Sequence, residues 1–253
     1  MIKLTNIKTE SKKEACGVMG AYDPKKSVAD KIFYGLMALQ HRGQESAGIA
    51  ITEGYGKVYL RKSMGLVGEN LSLEELLLIS GRYGIGHVRY STSGKSSLTE
   101  AQPFNLNNMY LAYNGNLVNY REIKDGLTRR GVYLVCSSDT EVMLNILTRK
   151  LEETGDFFEA LSEFARIIEG AYSATLLTDQ GELLIFRDPN GLRPLCWGKA
   201  KDTVIGASES VAIDVCGGKL MSTVNPGEAL LISNSGVQRK RFMSCKKKSH
   251  CMF

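Results

Sequence analysis

Five positions in this chain carry groups that could do chemistry together: Cys16, Arg89, Asn114, Gly115 and Asp139. Cys16 stands at the head of the apolar run GVMGAY, behind a polar segment. A thiol with a pKa of about 8.5 is only partly ionised at neutral pH and needs a base or a positive field to become a nucleophile. There are three histidines, His41, His87 and His250. Neither His41 in LQHRGQESAG nor His87 in GHVRYST has the local signature of a Cys–His protease. A different base exists if the first fifteen residues are removed. Cys16 would then carry a free α-amino group, of pKa about 7.7–8.0, able to take the thiol proton directly or through a water. On composition alone, a cysteine opening an apolar strand is a small buried hydrophobe.

The other four positions shift that balance. Arg89 ends an apolar run in GHVRYSTSG, and its guanidinium suits a bidentate grip on a carboxylate. YNGN places Asn114 and Gly115 directly after a second apolar run. An Asn side-chain NH₂ and a Gly backbone N–H can form an oxyanion hole, while the bare dipeptide reads as a type I′ turn. SSDTE puts Asp139 at a helix start, where an acid is an ordinary capping or first-turn residue and where its carboxylate could grip an ammonium. A thiol with an amine, two charged grips and an oxyanion hole suit an α-amino acid with a reactive side-chain amide. Glutamine is that substrate.

In order and spacing, Cys16-Gly17-Val18, HRGQESAGIA, GHVRYSTSG, YNGNLVN and SSDTEV resemble the class II glutamine amidotransferases, which are N-terminal-nucleophile (Ntn) hydrolases. Those motifs are shared with glucosamine-phosphate synthases and asparagine synthetases. RDPNGLRPL (187–195) followed by ASES (207–210) makes the chain similar to the glutaminase half of the amidophosphoribosyltransferases. The resemblance covers 16–253 and implies an α+β fold, a four-layer αββα sandwich of two mainly antiparallel sheets. It implies that Cys16 is the mature N-terminal nucleophile, with Asn114 and Gly115 as the oxyanion hole. It makes Arg89 the ligand of the glutamine carboxylate and Asp139 the ligand of its ammonium. Thr92 falls in the loop that closes over the substrate, and Arg42 in a motif that lines the site. Residues 1–15 read as a leader or propeptide, cut between Ala15 and Cys16.

The resemblance implies no cofactor for the glutaminase step. An iron–sulfur cluster and Mg belong to the full-length enzyme. Cys251 in SHCMF matches the first cluster ligand of the processed subgroup; the other ligands would lie downstream, and its plain reading is a thiol. The full-length enzyme would pass ammonia to phosphoribosyl pyrophosphate in a C-terminal phosphoribosyltransferase domain that this chain lacks. That reaction forms phosphoribosylamine, the first step of de novo purine synthesis, in a homo-oligomer. Two alternatives stay open: a glutaminase domain for another acceptor, of sugar-phosphate or asparagine synthetase type, and a non-catalytic amino-acid-binding or regulatory domain that retains its leader.

These groups need elements to position them. GVMGAY (17–22) reads as a buried strand, and in 27–40 the residues Val28, Ile32, Leu36 and Leu39 share one helical face. SAGIAIT and KVYLRK read as strands joined by the turn EGYG. SLEELLLIS reads as a short helix capped by Ser72, with Glu75 three residues on. YGIGHVRY is a strand running into a polar loop, 91–102, and MYLAYNG is a strand broken by Asn-Gly. Helices are expected at about 118–130, 139–152 and 156–169, the last with Phe157, Leu161, Phe164, Ala165 and Ile168 on one face. Strands then return in YSATLLT, ELLIFRD, LCWGK, TVIGAS, EALLIS and VQRKRF, with short hairpin-like turns. Strands, helices, then strands predict antiparallel α+β layers rather than alternating βαβ units, in one domain behind a short tail. GRYGIG is too weak a glycine pattern for a phosphate cradle.

The composition excludes several classes. The chain has 253 residues, 43% hydrophobic, and no run approaches the ~18 apolar residues of a membrane span. The first fifteen residues carry Lys3, Lys8, Lys12 and Lys13 without an apolar core, so they are not a secretory signal. The six cysteines are therefore expected as reduced thiols, in a cytoplasmic protein. No CxxC occurs, so a compact zinc site is not expected. The net charge of +5 comes from Arg239, Lys240, Arg241, Lys246, Lys247 and Lys248 near the C-terminus. The rest of the chain is close to neutral, which argues against a nucleic-acid surface and reads the cluster as a solvated strand pair and turn.

Overall fold

The computed structural model describes residues 16–90 and 97–244. The expected leader, Thr92, His250 and Cys251 lie outside the described residues. The chain enters β1 (Gly17–Tyr22), α1 (Ala29–Ala38), β2 (Ser46–Thr52) and β3 (Val58–Met64). The short helices α2 (Val67–Asn70) and α3 (Leu73–Leu77) lead to β4 (Tyr83–Arg89). Next come β5 (Phe104–Leu106), β6 (Met109–Leu117), α4 (Tyr120–Arg129), α5 (Asp139–Thr154) and α6 (Phe157–Ile167). The chain then forms β7 (Gly170–Thr178), β8 (Leu183–Arg187), β9 (Cys196–Ala200) and β10 (Thr203–Ala207). It closes with α7 (Val211–Val215), β11 (Lys219–Thr223), β12 (Glu228–Ser233) and β13 (Gly236–Arg241).

The strands form two sheets, ordered β11-β9-β10-β1-β4-β2-β3 and β13-β12-β8-β7-β6-β5. Every pairing between neighbours is antiparallel. Side chains alternate between the two faces of a strand, and three cores fill the layers. Met19 and Ala21 of β1 pack with Ile32, Leu36 and Leu39 on the α1 side. Val18 and Tyr22 face the other way, into the gap between the sheets, with Ile85, Ala112 and Leu230. Leu111, Tyr113 and Tyr172 of the second sheet pack with Val142, Leu147 and Phe164 of α5 and α6. The result is the expected four-layer αββα sandwich.

Local chemistry explains several elements. Ser72 caps α3 by accepting from the Glu75 N–H at 3.2 Å, as its sequence predicts. Ser138 caps α5, which ends on Gly155 at φ 69°, a left-handed value that glycine adopts without strain. The expected face of α1 is borne out: Val28, Ile32, Leu36 and Leu39 are all fully buried. The glycines of YGIGHV are a packing platform. A Cβ on Gly86 would sit 2.7 Å from Leu36 Cδ1, so glycine lets α1 lie directly on β4.

Some expectations are corrected. Asn114-Gly115 does not break its strand: β6 runs on to Leu117, with Asn114 opposite Ser173 and Gly115 opposite Tyr172. Full pairing with β7 overrides the turn preference of the dipeptide. In α6 the buried residues are Phe158, Ala160, Leu161 and Phe164, with Phe157 only partly buried. The sequence reading missed β5, β11 and the short helices α2 and α7, which are too brief or too exposed to show a period.

Candidate active site

Cys16 directly precedes β1, and the alternation that turns Val18 into the inter-sheet gap turns Cys16 there too. Its Sγ lies 3.7 Å from the Tyr90 carbonyl oxygen at the end of β4. Burial pushes the thiol above its ordinary value, while the charges of Arg89, Arg193 and Arg42 pull it down. The net effect is a protonated thiol that needs a base. The described histidines are poorly suited to that role. His41 is exposed and bonded to Glu209 at 3.0 Å. His87 is fully buried, its Nε2 is 3.0 Å from the Tyr113 carbonyl, and desolvation lowers its pKa to about 3.

β6 carries the second part of the site. Ala112 faces the gap, so Asn114, two residues on, faces it as well, toward β1. Asn114 is buried, and its Nδ2 has no hydrogen-bond partner among the described residues. Gly115 opposes Tyr172, whose own N–H and C=O turn away toward Asp188. This is a non-hydrogen-bonded pair, so the Gly115 N–H points to the free edge beyond the end of β5. On that edge the N–H groups on either side are taken by side chains. Gln102 Oε1 accepts from Tyr113 N at 2.7 Å, and Asp139 Oδ2 accepts from Leu117 N at 2.9 Å. Glycine is required here, because a Cβ would sit 2.2 Å from the Ala171 carbonyl oxygen.

Arg89 and Asp139 frame this edge. Arg89 ends β4, with its Nη1 bonded to Glu45 and its Nη2 2.6 Å from Glu100 Oε2. These two carboxylates use two of the five N–H groups of a guanidinium, so Arg89 is a shared cation. Asp139 is the first residue of α5, where the helix N-terminus favours its charge. Burial nonetheless raises its pKa, against the bond from Leu117 N. An open cleft of about 560 Å³ lies against Asp139, lined also by Asn116, Leu117 and Tyr120.

Arg42 lies beside Cys16. Its Nε donates to the Cys16 carbonyl at 2.9 Å, and its Nη1 bonds Glu209. Glu209 belongs to ASES, whose Ser208 Oγ accepts from Val18 N at 3.0 Å. That motif, at the end of β10, therefore fastens the chain at Cys16 through Arg42 and at Val18 through Ser208.

RDPNGLRPL forms a stapled loop. Arg187 donates to the carbonyls of Gly191 (2.6 Å), Arg193 (2.7 Å) and Val224 (3.0 Å). Buried Asp188 accepts from Asn190 N and Gly191 N, each at 2.8 Å. The loop brings Arg193 close enough for its charge to act on Cys16 and Tyr113.

The sequence reading missed Glu45, Glu100, Gln102, Arg193 and Glu209. Glu45 sits inside HRGQESAGIA, Arg193 inside RDPNGLRPL and Glu209 inside ASES, and that is the only signal that could have marked them. The four described cysteines, Cys16, Cys136, Cys196 and Cys216, are free thiols. Among the described residues no group of three or more His, Cys, Asp and Glu is placed to hold a metal ion. No described helix is long and apolar enough to cross a membrane.

Comparison with known proteins follows the same lines. A family model described as a glutamine amidotransferase domain matches residues 87–215. The amidophosphoribosyltransferase of Archaeoglobus fulgidus is 39% identical over 243 residues, which cover 94% of this chain and 52% of that protein. The amidophosphoribosyltransferase of Bacillus subtilis is 38% identical over 245 residues, 94% of this chain and 50% of that protein. A solved structure of the B. subtilis glutamine phosphoribosylpyrophosphate amidotransferase, complexed with ADP and GMP, aligns with a TM-score of 0.83 at 37% identity. That alignment covers 93% of this chain and 51% of the other. The chain thus spans about half the length of the curated relatives it matches.

Proposed function

Because the chain belongs to the glutamine amidotransferase domain family, we propose that it hydrolyses the side-chain amide of glutamine through a thioester on Cys16. The observation that carries this reading is the pair of donors on β6. Asn114 Nδ2 is buried without a described partner, and the Gly115 N–H faces an open edge. A buried unpaired donor costs about 1–3 kcal/mol, and it is useful where negative charge develops on a bound oxygen.

Removal of residues 1–15 frees the Cys16 α-amine, which takes the thiol proton. Sulfur attacks the glutamine side-chain carbonyl, and Asn114 and Gly115 hold the oxyanion. The tetrahedral intermediate collapses, and the amide nitrogen leaves as ammonia with the proton returned by the amine. Water then cleaves the thioester through a second oxyanion, giving glutamate and the free thiol. Arg89 holds the substrate carboxylate and Asp139 its ammonium, which draws on the charged rather than the neutral form of Asp139.

In the longer protein, the ammonia displaces pyrophosphate from phosphoribosyl pyrophosphate in a second domain and gives phosphoribosylamine. The names and lengths of the relatives support that reading. The test is glutamate release from glutamine by the expressed chain, with N-terminal sequencing of the active species. Wild-type turnover with a Cys16 N-terminus, and none in Cys16→Ala, is expected. Equal turnover in both would end the proposal.

A further inference from the structure

We propose that Glu100 is a positioning residue that fixes the spacing between the two grips of the amino-acid site. The inference rests on the roles given above to Arg89 and Asp139. One oxygen of the Glu100 carboxylate is 2.6 Å from Arg89 Nη2, and the other is 2.8 Å from Ser137 Oγ. Arg89 closes a strand of one sheet, and Ser137 lies two residues before Asp139 at the head of α5. A single side chain therefore ties the carboxylate grip to the ammonium grip.

Both ends of the tie are braced by further bonds, with the Ser137 bond itself at the surface. Arg89 is held from the far side by Glu45, and the side chains of Arg89 and Glu100 are each only 15% exposed. The segment around Ser137 is braced by Glu141, whose carboxylate accepts from Val135 N at 2.7 Å and Cys136 N at 2.9 Å. A pull on Ser137 is thus transmitted to the first turn of α5 rather than absorbed by a loose loop. An α-amino acid carries its carboxylate and ammonium on one carbon, a fixed distance apart. Two grips on separate layers of the fold bind it well only if their spacing is also fixed.

Glu100 makes no bond to Cys16, Asn114 or Gly115 among the described contacts, so its loss should weaken binding and spare the chemistry. Glutamine kinetics of wild type, Glu100→Ala and Glu100→Gln test this. Glu100→Ala should raise the glutamine KM on the order of tenfold, with kcat held within about threefold. Glu100→Gln keeps a group on each partner and should recover most of the wild-type KM. A merely structural role would lower thermal stability without this split and without rescue by Gln. An unchanged KM in Glu100→Ala, or a fall in kcat at constant KM, would overturn the inference alone. A wild-type chain that releases no glutamate would instead overturn the glutaminase reading, and this inference with it.

Discussion

Nε2 of His87, on β4, lies 3.0 Å from the carbonyl oxygen of Tyr113, on β6, and Nδ1 of the same ring is buried without a described partner. The carbonyl can only accept, so the ring donates from Nε2 and is neutral with a bare Nδ1. This bond crosses the inter-sheet gap one residue before Asn114. With Gln102 on the Tyr113 N–H, it replaces the strand that β6 lacks on that edge. Two side chains thereby hold the backbone that presents the two proposed oxyanion donors.

His87 gives stability a pH dependence whose sign follows from its environment. Unfolded, the ring gains a proton below about 6.5, but folded only near 3, because burial penalises the charged form. Between those values the unfolded chain binds more protons, so stability falls as pH drops through that window. Above it the ring is neutral in both states and adds no slope. His87→Gln, which keeps a donor for the Tyr113 carbonyl, should flatten the decline in denaturation midpoint between pH 7 and pH 4.5. Parallel pH profiles for the two proteins would contradict this.

Asn114→Ala removes a buried donor that has no described partner in the resting protein. It should cost on the order of 10²–10³ in kcat, ~2.7–4 kcal/mol, the usual loss of one oxyanion donor. Thermal stability should change little, since no described hydrogen bond of Nδ2 is lost. Steady-state glutamate release and a melting curve check both halves. Near-normal turnover would take Asn114 out of the hole.

Gly115→Ala should behave differently. The added Cβ would sit 2.2 Å from the Ala171 carbonyl oxygen and 2.8 Å from the Tyr113 ring, so β6 has to shift. Turnover and melting temperature should fall together, the overpacking costing about 1–3 kcal/mol. An alanine variant with wild-type stability and turnover would show that the strand is not held as tightly as its pairing implies.

The placement of Cys16 and the run of buried strands were legible because alternating and apolar runs such as GVMGAY and SAGIAIT have few other uses. The candidate site was legible only as a set. Asn114-Gly115 alone pointed to a turn, and its strand conformation depends on pairing with Ser173 and Tyr172 some sixty residues away. Glu45 and Glu100 converge on Arg89 from opposite sides in sequence, and no local pattern encodes that meeting. The glycines of GRYGIG had no assignable role in the sequence, because the close approach of α1 to Gly86 appears only once the helix is placed.

Asp139→Asn separates charge from architecture. Asparagine keeps an oxygen for the Leu117 N–H, now bonded at 2.9 Å, so the start of α5 should stay in place. It loses the charge proposed to hold the substrate ammonium. The glutamine KM should rise by roughly tenfold or more with kcat largely retained. An unchanged KM would remove Asp139 from substrate binding.

The claim that Cys16 is the nucleophile is tested most directly by trapping. A glutamine analogue with a diazoketone in place of the side-chain amide binds the same grips and alkylates the attacking sulfur, releasing nitrogen. Peptide mass spectrometry of the inactivated protein should find one label, on Cys16, in a chain whose first residue is Cys16, with glutamine protecting against it. Inactivation with the label on any other residue, or full glutamine turnover by chains that still carry residues 1–15, would contradict the account.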